Sequence, residues 1–120
     1  MFEQIIINCN EGYIYGYVTN KVVNLNYIFV KPEYRGNKFS ISLMMSFLVE
    51  SYRKGAVRIE LDDCSNNYKT SKNLYLNSGL KYLHVDGPEM SGNIRSCIKK
   101  LTIKYPKINN LFIKTNQQNV

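Results

Sequence analysis

The hydrophobic period of this chain first changes, abruptly, between residues 30 and 40. Up to Val30, residues alternate between two faces, the two-residue period of a strand. From Ser40 the apolar residues fall three and four apart, the period of a helix lying on a core. This pattern predicts an α+β chain that begins with antiparallel strands joined by short turns.

The elements follow from the same periods and from the turn residues between them. Gln4 to Cys9 is β-branched and apolar, and Asn10-Glu11-Gly12 is a turn. Tyr13 to Val18 is a second strand, with Tyr13, Tyr15 and Tyr17 on one face as a half-buried row or subunit contact. Val22 to Val30 is a third, with Val23, Leu25, Tyr27 and Phe29 on one face. Ser40 to Lys54 is a helix whose stripe is Ile41, Met44, Met45, Leu48 and Tyr52, ended by Gly55. Ala56 to Asp62 is a strand with Val57, Ile59 and Leu61 inward. Thr70 to Asn77 is a short helix, and Leu80 to Val85 a strand. Asp86 to Gly92 is then a loop and Ile94 to Ile103 a last strand. Residues 1–105 are expected to form the domain, and 106–120 a loosely attached tail.

Composition narrows the function. The chain has 120 residues, 44% of them hydrophobic, enough to build a core. No run approaches the roughly 20 apolar residues of a membrane span, and the first residues do not resemble a secretory signal. The expectation is a cytoplasmic protein without a membrane partner. Cys9, Cys64 and Cys97 are far apart and odd in number, so they read as reduced thiols rather than a disulfide framework or, with the single His84, a metal site. The net charge of +7 favours anionic partners. It is spread rather than clustered, which makes nucleic acid an unlikely partner despite the tyrosine row.

The segment Val30-Lys31-Pro32-Glu33-Tyr34-Arg35-Gly36-Asn37-Lys38-Phe39-Ser40 joins a strand end, a basic loop and a helix start. A helix N-terminus offers unpaired N–H groups and a partial positive charge, and Arg35 and Lys38 add full charges beside it. That combination suits a diphosphate.

These residues resemble the acetyl-CoA signature of the GNAT superfamily, V-x-P-x-x-R-G-x-G-[apolar]-G, with Val30, Pro32, Tyr34, Arg35 and Gly36 in register. Leu74-Tyr75-Leu76-Asn77-Ser78-Gly79-Leu80 resembles that family's L-Y-x-x-x-G-[FYL] block. Gly16, within Tyr15-Gly16-Tyr17-Val18, stands where members commonly carry a glycine. The resemblance covers about residues 5–85 and implies the α+β GNAT fold, a mixed and mostly antiparallel sheet with helices packed on its faces. It implies acetyl transfer from acetyl-CoA, as co-substrate and without a metal, to a primary amine of a small molecule or protein. By position it implies that Arg35, Gly36, Asn37, Lys38, Phe39 and Ser40 hold the pyrophosphate. Phe29 and Val30, at the strand end, would meet the pantetheine arm and the thioester, and Tyr75 would meet the departing thiolate. The base is not fixed in the family; Glu60 is the candidate here, with Asp62 beside it.

Three departures stand out. Lys38 and Ser40 occupy glycine positions of the signature, and a positive φ at Lys38 would be strained. The family's usual first strand and two helices, which wall the acceptor site, have no counterpart here, so the chain is read as a shortened form or as borrowing a wall from a second subunit, a homodimer. The Asn-x-x-Ala lead into the second block is missing, with Asn66 or Asn67 as a shifted substitute and Ser71 in place of the small apolar residue. The alternatives to an enzyme are a non-catalytic GNAT-fold interaction module that binds CoA and a small basic nucleic-acid-binding protein.

Overall fold

The computed structural model of the chain describes residues 2–108. Three strands, β1 (Phe2–Cys9), β2 (Gly12–Thr19) and β3 (Val22–Val30), form an antiparallel meander. A 3-10 turn at Pro32–Tyr34 leads into α1 (Phe39–Arg53). The chain continues through β4 (Arg58–Asp62), α2 (Leu74–Asn77), β5 (Lys81–Tyr82), β6 (Glu89–Asn93) and α3 (Ile94–Lys104). The six strands make one sheet in the order β1-β2-β3-β4-β6-β5, antiparallel except where β4 runs beside β3.

α1 and α3 lie together on one face, where Ile5, Ile14, Val23, Ile59 and Met90 meet Met44, Phe47, Leu48 and Leu101. Each of these is at most 2% exposed, so a side chain of this size contributes about 1.5–3 kcal/mol. α3 covers the flank of α1 that the sheet leaves, so Ser42, Leu43 and Ser46 are buried as well as the apolar stripe. Tyr52, at the C-terminal end of that stripe, is exposed.

The region after residue 80 corrects the sequence reading. Ile94 to Lys104 is helix, not strand. Ile94, Cys97 and Leu101 point into the core at helical spacing, and Asn93 caps the first turn, its Oδ1 accepting from Ser96 N–H at 3.0 Å. The last strand lies earlier, at Glu89–Asn93, inside the stretch read as a loop, because Met90 and Gly92 pair with Leu61 and Ile59 of β4. The strand read over residues 80–85 shortens to Lys81–Tyr82. Val57 stays exposed because the strand starts one residue later. Past Pro106 the chain still packs, since Ile108 is 2% exposed; the rest of the predicted tail lies outside the described residues.

One irregularity shapes the middle of the sheet. Tyr15 faces Tyr27 but Gly16 faces Leu25, which leaves Asn26 as an extra residue on β3. The bulge switches the strand's faces. Val23 and Leu25 point to the helices before it, and Ile28 and Val30 after it. Tyr27 and Phe29 are thereby turned away from the core, contrary to the simple alternation, and Tyr27 is 48% exposed. β3 also leaves β4 here: their pairing covers only Val22 to Asn24 against Arg58 to Glu60. Beyond that point the two strands splay, and the candidate site lies in the opening.

Candidate active site

The loop between β3 and α1 is held by its own residues. Arg35 Nε donates to Val30 O at 2.8 Å, and the guanidinium lies 5.5 Å from the centre of the Phe29 ring. Gly36 has φ 85°, a conformation that suits a residue without Cβ. Lys38 has φ 66° and caps the helix, so the strain anticipated for this position is present, about 1 kcal/mol for a residue with a side chain. The Lys38 ammonium rests 5.7 Å from the centre of the Tyr105 ring. The first bond of α1 runs from Ser42 N–H to Lys38 O at 3.1 Å. The N–H groups of Phe39, Ser40 and Ile41 therefore precede the helical ladder and are free for a ligand.

These elements wall a groove of about 530 Å³. Of the predicted cofactor residues, Phe29, Val30, Arg35, Gly36, Lys38, Phe39 and Ser40 line it, while Asn37 lies on the loop without lining it. Cys64, Ser65, Asn66 and Leu74 form the opposite wall. The open edge of β3 faces this space. Lys31 N–H donates to Glu11 O, 2.8 Å, whereas Val30 O turns the other way to Arg35. Alternation along a strand then turns the Val30 N–H toward the open edge and leaves the Phe29 N–H on the β2 side.

Tyr75 does not line that groove. It lies in an adjoining chamber of about 450 Å³ that shares Tyr27, Ile28, Ser40, Cys64, Ser65 and Leu74 with it. Burial, with smaller contributions from Asp63 and Cys64, pushes its phenol up to about 12. Glu60 is brought to neither space. It lines a third chamber of about 400 Å³ with Asp62 and Glu89, which shares Asn26, Asp62 and Cys64 with the second.

What fixes α2, and so Tyr75, is a buried knot that sequence reasoning missed. Asn73 Oδ1 accepts from the N–H groups of Tyr75 and Leu76 at 2.9 and 3.0 Å and caps the helix. Its amide nitrogen donates to Asp63 Oδ2 at 2.7 Å and to Asn67 O at 3.1 Å. The Ser65 hydroxyl donates to Asp63 Oδ1 at 2.6 Å, and the Tyr82 hydroxyl donates to Asp63 Oδ2. Burial of Asp63 raises its pKa, but the hydrogen bonds from Ser65, Tyr82 and Asn73 outweigh it and hold the carboxyl below its ordinary range. Asn73 thus anchors α2; of the two asparagines read as shifted substitutes for the family's lead, Asn66 lines the groove and Asn67 accepts from Asn73 through its carbonyl. An Asn directly before Leu74-Tyr75-Leu76 is a helix-cap signal that would have found it. Nothing in the sequence marks Asp63 over Asp62.

No family model and no curated protein sequence matches the chain. Solved structures do match. An acetyltransferase from Bacillus cereus overlays with TM-score 0.60 at 14% identity, over 75% of this chain and 69% of that one. The chain has the GNAT fold. The anti-CRISPR protein AcrVA5 overlays with TM-score 0.60 at 18% identity, over 75% of this chain and 98% of that one. The PaiA N-acetyltransferase of Thermoplasma acidophilum, solved with coenzyme A, gives TM-score 0.58 at 22% identity, over 68% of this chain and 52% of that one. The GNAT fold and the mixed α+β architecture therefore stand as the sequence implied. Among the described residues no helix is long and apolar enough to cross a membrane.

Proposed function

We propose that the chain is a cytoplasmic N-acetyltransferase that moves the acetyl group of acetyl-CoA to a primary amine. The observation that carries this reading is the groove at the β3–β4 splay, where a strand edge, a positive-φ basic loop and an unladdered helix N-terminus converge. The N–H groups of Gly36 to Ile41, with Arg35 and Lys38, suit the diphosphate of CoA. The Val30 N–H suits the thioester carbonyl, whose oxygen gains charge as the amine attacks. The amine nitrogen bonds to the carbonyl carbon, the C–S bond breaks, and the amine gives up a proton to a base, for which Glu60 is the candidate. CoA leaves as a thiolate. A phenol with a pKa of about 12 does not surrender its proton fully to a thiol of pKa about 8.5. Tyr75 therefore donates a hydrogen bond to the leaving sulfur, and solvent completes the protonation.

The test is calorimetric titration with acetyl-CoA, followed by assay of thiol release with amine acceptors. Micromolar binding is expected, weakened about tenfold by Arg35→Ala through loss of a charged contact and of the loop's tie to Val30. No binding by either form overturns the reading. A second reading is a GNAT-fold module acting on a partner protein, favoured by the overlay that takes in 98% of the anti-CRISPR chain and 75% of this one. Binding of acetyl-CoA without turnover on any amine would select it.

A further inference from the structure

The sheet ends in two edges of opposite character. On one side is β5, two residues long and beginning with Lys81. A short edge that carries a lysine resists pairing with a further strand. On the other side is β1, eight residues long, and among the described residues no strand lies outside it. All eight residues pair with β2 in one unbroken register, so no bulge twists this edge away. It holds no proline, lysine or arginine. Its one charge, Glu3, is turned back to Lys54 at 2.9 Å. The middle of the strand, Gln4-Ile5-Ile6-Ile7-Asn8, is uncharged, and Ile6 is 54% exposed. A long, regular strand edge with a free row of N–H and C=O groups and none of the usual protections is a template for another strand.

The sequence of β1 says which strand fits. Ile5 and Ile7 point to the core, and Gln4, Ile6 and Asn8 to the other face of the sheet. A second β1 set antiparallel about a two-fold axis at Ile6 keeps those faces matched, as the two-residue period requires. Ile6 then meets Ile6 of the second copy, Ile5 meets Ile7, Glu3 meets Cys9, and Gln4 meets Asn8, two amides that each donate and accept. No charge faces a like charge, which matters for two copies of a chain whose net charge is +7. β2 widens the uncharged strip, because Tyr17, Tyr15 and Tyr13 stand beside Gln4, Ile6 and Asn8. A two-fold pairing also uses one edge of each copy and closes. A head-to-tail pairing would need a second open edge, and β5 is not one.

We propose that β1 pairs with β1 of a second copy of this chain, antiparallel and centred on Ile6, so that the six-stranded sheet continues into its copy. This pairing is independent of the acetyl-transfer reading, because the groove opens two strands away, on β3. Sedimentation equilibrium of the full chain over a range of concentrations should show monomer and dimer and nothing larger. Ile6→Lys sets two ammonium groups opposite each other on the axis and should raise the dimer's dissociation constant at least about tenfold. Ile103→Lys, the same change at an exposed isoleucine of α3, should not. Urea denaturation of each variant checks that the monomer still folds. Ile6→Cys, mildly oxidised, should cross-link to its copy through the introduced thiols above the wild-type level, since opposed Cβ atoms in such a pair lie about 4.5–5.5 Å apart. Gln4→Cys should not, because its counterpart is displaced by four residues, about 13 Å along the strand. A monomer at every concentration, a folded Ile6→Lys protein that dimerises as the wild type does, equal cross-linking by the two cysteine variants, or growth into larger species overturns the inference.

Discussion

Two residues carry most of the site's electrostatic tension, with opposite signs. Asp63 is 3% exposed and is kept ionised by donors from Ser65, Asn73 and Tyr82. Its folded pKa lies below the ordinary 3.8, so its stabilisation is present above that value and is lost as pH falls through the folded one. Asp63→Asn should cost about 2 kcal/mol at pH 7, because an amide cannot accept from the four donors, the N–H and hydroxyl of Ser65, the Asn73 amide and the Tyr82 hydroxyl, and faces the Asn73 amide with its own hydrogens. The gap to the wild type should narrow below pH 3.8, as urea denaturation at pH 7 and at a series of lower pH values would show. A gap constant with pH would mean that the carboxylate charge is not what the knot holds. Tyr75 runs the other way. An unfolded phenol ionises near 10 and the folded one only near 12, so its contribution is complete below pH 10 and fades between 10 and 12. Difference absorbance at 295 nm between wild type and Tyr75→Phe should show one phenol titrating near 12. A phenolate appearing near 10 would place Tyr75 in water rather than in its chamber.

Among the elements, β3 and its bulge decide whether there is a site. The bulge is possible because Gly16 stands opposite it: a Cβ there would lie 2.1 Å from Asn24 O and 2.8 Å from Phe47 Cζ. Gly16→Ala should therefore destabilise by about 1–3 kcal/mol through overpacking, and should also weaken acetyl-CoA binding as β3 shifts. Denaturation and titration on the same variant separate the two effects, and a loss of stability without a loss of affinity would show that the splay survives. β1, β2 and α1 were legible because each keeps one period for eight residues or more, whereas β3 was legible as a strand but not in its faces beyond Leu25. The bulge was not, since Tyr27, Ile28, Phe29 and Val30 are all apolar and suit either face of the strand. α3 was misread for a definable reason: Ile94 and Ile98 are four apart, which fits both a strand and a helix, and only Cys97 and Leu101 decide for the helix. The loop between β3 and α1 could be read from Pro32, Arg35 and Gly36, because its conformation is local. The Asp63 knot could not, because it gathers residues from 63 to 82.

Across the whole molecule the splay separates two fields. The loop side presents Arg35 and Lys38, and the closed end, where the β3–β4 pairing stops, presents Glu60, Asp62 and Glu89, within a chain of net charge +7. A cationic protein draws a polyanion such as CoA from a distance, and this attraction is screened beyond about 10 Å at 0.1 M salt. The hydrogen bonds from the helix N-terminus act at contact and are screened far less. The two contributions can therefore be told apart by salt. Raising NaCl from about 0.02 to 0.3 M should weaken acetyl-CoA binding about tenfold, chiefly through a slower association rate, as stopped-flow and calorimetric measurements would read. If the dissociation rate changes instead, Arg35 and Lys38 hold the diphosphate at contact rather than steering it. If affinity does not respond to salt, the net charge plays no part in capture, and the backbone N–H groups of the loop and α1 do the binding alone.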